Sequence, residues 1–129
     1  MKYGRHLAPT LGVDFRGITL RVEDLAAVRD FYAETLALDI TAEEDRMIAF
    51  DVGGRMLCLD SRARGGGSGT GGRQEWSLWF TVDGFASVVE RLKAAGAVLV
   101  RGPEKSTGNG KWFVVVRDPA GREVRLDEK

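Results

Sequence analysis

The chain has little of the side-chain chemistry that many enzymes rely on. Its 129 residues contain one histidine, His6, and one cysteine, Cys58. A histidine-rich metal centre or a Ser-His-Asp device inside the fold therefore has no histidine to use. One cysteine also excludes an intramolecular disulfide. No apolar stretch approaches the roughly 18 residues of a membrane helix, and no signal-peptide pattern follows Met1. The expected location is the cytoplasm. Charge of one sign is missing too, since 19 Lys and Arg balance 19 Asp and Glu without a long basic run. Lacking a long-range field, the chain is not expected to partner nucleic acid or an acidic membrane.

What is present describes an ordinary globular chain. Hydrophobic residues make up 43% and charged residues 29%, with a mean hydropathy of −0.18, which excludes disordered and fibrous classes. Residues 1–129 suit a single domain. At this size folding buries roughly two-thirds of the chain's surface, enough for a core without staples.

The chain repeats itself. Thr19 to Ile40 matches Trp79 to Val100 at a constant offset of 60, with Val22 on Val82, Leu25 on Phe85, Ala26 on Ala86 and Val28 on Val88. GRMLCLD, ending at Asp60, matches GREVRLD, ending at Asp127, at an offset of 67. Each copy opens with alternation, a strand signal. Ile18, Leu20 and Val22 oppose Gly17, Thr19 and Arg21, while Leu78, Phe80 and Val82 oppose Ser77, Trp79 and Thr81. A helix follows each strand. Asp24 is placed to cap the first, whose stripe is Leu25, Val28, Phe31, Tyr32 and Leu36. Asp83 or Gly84 opens the second, Phe85, Val88, Val89 and Leu92 form its stripe, and Gly96 stops it.

Three short strands complete each copy: 38–42, 47–52 and 55–60 in the first, 98–101, 112–117 and 123–127 in the second. Gly53-Gly54 and Asp118-Pro119-Ala120-Gly121 supply hairpin turns. The order is strand, helix, three strands, twice over. Between the copies, Ala63 to Gln74 holds six glycines in twelve residues and reads as a tether. It lacks the Gly-Lys-Ser/Thr ending of a phosphate loop. Lys105 to Lys111 reads as a loop or hairpin tip.

Paired modules of this order resemble the vicinal oxygen chelate superfamily, which holds glyoxalases, bleomycin resistance proteins and extradiol dioxygenases. GITLRVEDLAAVRDFYAETLAL resembles the family's opening strand and helix, and WFVVVRDPAGREVRL its closing hairpin. The resemblance runs over about residues 16–127 and implies an α+β fold. In that fold two tandem βαβββ modules, about 16–60 and 75–127, curl their mixed sheets into a cup with helices packed outside. Metal-dependent members place four ligands in the cup, from the first and last strands of each module. Carried over, those positions fall on Gly17, Cys58, Ser77 and Arg125. Gly17 has no ligating side chain, Ser77 is a poor ligand for a borderline divalent ion, and Arg125 brings a permanent positive charge. One thiolate, from Cys58, does not make a site. No metal and no cofactor are expected.

Several residues carry two readings. Trp79 lies on the cup face, either as a platform for a planar ligand or as filling for an emptied metal cup. Trp76 and Trp112 stand at strand edges; Trp112 lies in a stretch that resembles the drug-covering tryptophan region of bleomycin resistance proteins. Arg21 and Arg125 face the cup and either clamp a ligand's carboxylate or phosphate or pair with Asp60, Glu123 or Asp127. Cys58 has no histidine within the fold to activate it and reads as a small hydrophobe. Met47 and Met56 read as core, and His6 as part of a tail. Glu23 and Asp24 fit helix capping better than acid–base work.

The expected function is metal-free binding of a small aromatic or antibiotic-like molecule, with Arg21, Cys58, Ser77, Trp79, Trp112 and Arg125 as candidate contacts. The alternative is a divalent-metal-dependent lyase, isomerase or dioxygenase of the same superfamily with non-standard ligands. A homodimer is what the resemblance implies.

Overall fold

Alternation along the first strand puts Leu20 almost wholly out of water while Thr19 stays exposed, so one face of the sheet is committed to a core. The computed structural model describes residues 15–61 and 77–129. The Gly-rich tether, Trp76 and His6 lie outside the described residues.

The first module runs β1 (Gly17–Arg21), α1 (Leu25–Asp30), β2 (Asp39–Glu43), β3 (Met47–Val52) and β4 (Arg55–Asp60). The second runs β5 (Leu78–Val82), α2 (Phe85–Ala94), β6 (Val98–Lys105), β7 (Trp112–Arg117) and β8 (Glu123–Glu128). Each module forms a four-stranded sheet, ordered β1-β4-β3-β2 and β5-β8-β7-β6. In both, the opening strand pairs parallel with the closing strand and the other pairs are antiparallel. This is the α+β pair of βαβββ modules, with curled mixed sheets, that the sequence implies. No helix among the described residues is long and apolar enough to cross a membrane.

Local chemistry explains the boundaries. The Asp24 carboxylate accepts the Ala27 N–H at 3.1 Å and caps α1. The helix then widens into a π-helical stretch, Phe31–Thr35, where the Leu36 N–H reaches back to the Phe31 carbonyl at 3.0 Å. The sequence stripe predicts one regular helix through Leu36. The wider turn instead lets two consecutive rings, Phe31 and Tyr32, both reach the interior, packed edge to face at 5.0 Å. Gly84 opens α2 and Gly96 ends it, both at positive φ, which suits glycine. Strand β6 runs four residues past its expected end at 101. Its register shifts on both sides of Arg101 absorb Gly102-Pro103, and as a sheet edge it tolerates proline's missing N–H.

A single core joins the modules. Leu20, Tyr32, Ile48, Phe50 and Leu59 of the first pack in one cluster with Leu92, Val114, Val124 and Leu126 of the second. Each such aliphatic side chain stabilises the fold by roughly 1.5–3 kcal/mol through burial. Polar ties cross the same junction. The Tyr32 hydroxyl donates to Asp118 Oδ2 at 2.7 Å, and Arg122 Nη2 donates to the Arg21 carbonyl at 2.6 Å. The opposite faces of the two sheets take no part in this core, and all the candidate residues except Trp112 stand there.

Candidate functional site

On the outer face of the first sheet the parallel ladder sets Thr19 beside Cys58, which lies beside Ala49 on its other flank. The side chains are small, and Cys58 is half-buried. Gly17 begins β1 on the same face. A Cβ at this position would collide with the Met56 carbonyl of β4, because the strands close tightly here and the Met56 N–H reaches the Arg16 carbonyl at 2.7 Å. Position 17 thus excludes any side chain without movement of β4. Arg21 ends β1, opposite Asp60.

The second sheet carries large side chains at the equivalent places. Trp79 on β5 stands opposite Arg125 on β8. Its indole is 64% exposed, and its Nε1–H donates to Ser77 Oγ at 2.7 Å. The Arg125 guanidinium carbon lies 4.4 Å from the centre of the Trp79 ring and 4.1 Å from that of Phe113. Since β8 runs between β5 and β7, the guanidinium sits between the two rings. Arg125 Nε donates to Asp127 Oδ1 at 2.7 Å, and both side chains are about four-fifths buried. On the far side of Phe113, the Arg101 guanidinium lies 5.2 Å from the ring centre. The result is a row of Trp79, Arg125, Phe113 and Arg101 across the face.

Both candidate roles of Arg125 bear on this geometry, because the ion pair to Asp127 leaves part of the guanidinium uncommitted. Phe113 is a residue of this row that the sequence reading does not single out beside the more conspicuous Trp112. The signal was there, since alternation along β7 sets Phe113 on the Arg125 face and Trp112 on the other. Trp112 is 40% exposed and lies apart from Trp79, over the helix side of the sheet. It lines a cavity of about 600 Å³ with Phe85, Val89, Lys93, Pro103 and Glu128.

The four implied ligand positions thus divide, Gly17 and Cys58 on one outer face and Ser77 and Arg125 on the other. Their chemistry does not fit a divalent ion. Gly17 has no donor and no room for one, the Ser77 hydroxyl already receives the indole N–H, and Arg125 repels a cation. Among the described residues no three His, Cys, Asp or Glu side chains gather in a metal-binding cluster.

One buried titratable pair lies behind the site. Burial, and next the nearby Asp118 carboxylate, hold the Tyr32 hydroxyl protonated well above its ordinary range. Asp118 also accepts the Ala120 and Arg122 backbone N–H groups, each at 2.9 Å, so it organises the β7–β8 turn.

The family model described as Glyoxalase/Bleomycin resistance protein/Dioxygenase superfamily matches residues 15–126. Among curated proteins no sequence match is found. Solved structures are similar. A lactoylglutathione lyase from Agrobacterium tumefaciens shares 26% identity over 93% of this chain and 95% of that one, with a TM-score of 0.69. A glyoxalase/dioxygenase from Nostoc punctiforme is 20% identical over 98% and 97%, with a TM-score of 0.77. A glyoxalase-related enzyme from Fulvimarina pelagi is 23% identical over 90% and 88%, with a TM-score of 0.74.

Proposed function

The chain belongs to the glyoxalase/bleomycin resistance protein/dioxygenase superfamily, and from that premise we propose that it binds a small, flat organic molecule without a metal ion. The observation that carries this reading is the exchange at the four ligand positions. At two of those positions Ser77 and Arg125 instead hold an open indole, Ser77 by accepting its N–H and Arg125 by lying against its ring. Stacking on Trp79 and burial against the sheet supply affinity, and binding is stoichiometric capture.

A homodimer completes the cup. Strands β1 and β5 are both sheet edges, and each outer face is half of a lining. Pairing the small-residue face of one copy with the Trp79 face of another encloses a slot whose floor is Thr19 and Cys58 and whose wall is the indole. The cytoplasm is the expected compartment, in keeping with one unpaired thiol.

Native mass spectrometry of the purified protein tests this. A dimer without metal, carrying an organic adduct or taking one up from a panel of aromatic compounds, is the expected result. One divalent ion per subunit that survives desalting overturns it.

The likeness to a lactoylglutathione lyase favours a second reading, a metal-dependent lyase, isomerase or dioxygenase with non-standard ligands drawn from Cys58, Asp60, Glu123 and Asp127. Under it, a Cys58→Ala, Asp60→Ala double variant loses both metal and turnover. Full retention of both removes that form of the enzyme.

A further inference from the structure

The guanidinium of Arg125 is held as a binding group is held. Rings of Trp79 and Phe113 cover it on either side, at 4.4 and 4.1 Å, and Asp127 fixes Nε at 2.7 Å. Sandwiched this way, it has few rotamers left to lose when a ligand arrives. Its Nη1 and Nη2 groups donate to no acceptor among the described residues, although the side chain is about a fifth exposed. A structural ion pair alone would not leave the forked end of an arginine idle on the outer face, next to an open indole. Arginine presents that fork in the geometry of a carboxylate's two oxygens, and its charge persists at any physiological pH.

We infer that Arg125 is the anchoring charge of this face, and that the ligand is an aromatic or conjugated carboxylate. Its two oxygens meet Nη1 and Nη2, and its flat body lies against the Trp79 ring. This rests on the binding reading above and narrows it to one ligand class. A permanent cation already backs the indole, so a cationic ligand gains little there and an anionic one gains most. The neighbouring charges agree. Arg101 is paired with Glu104 at 3.2 Å and Asp127 with Arg125, which leaves the Arg125 fork as the group through which this row of side chains selects charge.

Calorimetric titration of the unmodified protein with 1-naphthoate and with its neutral isostere 1-naphthamide tests the assignment. Naphthoate is expected to bind about ten- to a hundredfold more tightly, the range of a charge-assisted hydrogen-bonded pair. In Arg125→Gln that preference disappears while naphthamide still binds. Arg125→Lys keeps the charge but not the fork, and is expected to recover only part of it. Equal affinities on the unmodified protein overturn the carboxylate assignment and leave flat-ligand capture standing. Binding of neither probe overturns both.

Discussion

Thr19 and Cys58 stand side by side on the outer face of the first sheet; at the same register of the second stand Trp79 and Arg125. The backbone frames are copies, with the same strand order and the same parallel closing pair. Their outer faces share almost nothing. Their inner faces, by contrast, are interchangeable in kind, since Leu20 and Phe80 or Leu59 and Leu126 serve one core. The fold is thus specified by one side of each sheet, which leaves the other side open to different chemistry in each module.

The helical segments packed on those inner faces differ at one telling position. Tyr32 and Leu92 occupy the same place in the repeat, and both are fully buried. Only Tyr32 carries a polar atom, and it crosses to the other module to meet Asp118. Replacing Tyr32 by Leu would give both modules the same residue. It removes a ring packed against Phe31 and Phe50 and orphans a carboxylate oxygen. The expected cost is about 3 kcal/mol, read as a lower midpoint in denaturant unfolding. An unchanged midpoint would mean that the module junction does not depend on this contact.

Gly17 and Ser77 offer the next contrast, being paired positions of the repeat, at the start of β1 and just before β5. Gly17→Ala drives a methyl group into the Met56 carbonyl and is expected to destabilise by about 2 kcal/mol as β1 and β4 part. Retained stability would show that β4 yields freely, and that a ligating side chain could be rebuilt there.

Tyr32→Phe separates the hydroxyl from the ring. The cost is about 1–2 kcal/mol at neutral pH, and the pH dependence changes with it. In the unfolded chain Tyr32 ionises near 10, whereas the folded protein holds its proton to well above that. The stability this contributes is complete below about pH 10. It falls as pH rises from there through the folded value, by at most about 1.4 kcal/mol per pH unit. Unfolding titrations at pH 9 and 11 should therefore show a smaller alkaline loss in Tyr32→Phe than in the unmodified protein. Equal losses would place the alkaline transition elsewhere.

The sequence makes the frame legible for a definite reason. Alternation in β1 and β5, Asp24 as a cap, and the Gly53-Gly54 and Asp118-to-Gly121 turns are all local signals. They were sufficient for element order, and the bounds of β3, β4 and β7 follow from them. Strand β6 extends past the expected 98–101, since an edge strand with shifted register carries Gly102-Pro103 through. The Tyr32–Asp118 bond spans 86 positions, and no local pattern reports it. The row through Trp79, Arg125 and Phe113 depends on which strands are neighbours. That knowledge comes from pairing, so Phe113 stayed hidden although its face was predictable. Trp79 is legible as a cup-face residue from alternation alone, whereas Trp112 stands at a strand edge, and the pairing of β7 with β6 and β8 places it on the helix side.

The smallest effect sharpens the comparison most. Ser77→Ala removes an exposed hydroxyl that accepts the Trp79 indole N–H. Stability should change by no more than about 0.5 kcal/mol, since the site is open to water and the indole can bond to solvent instead. Its repeat partner at position 17 would cost several times that for a single methyl group. If the hydroxyl matters, it matters for aim. Losing it frees the indole to turn about its side-chain bonds, and 1-naphthoate binding should weaken a few-fold with no change in the unfolding midpoint. A variant that binds as tightly as the parent shows that Arg125 alone, through its contact with the ring, is enough to hold the platform in place.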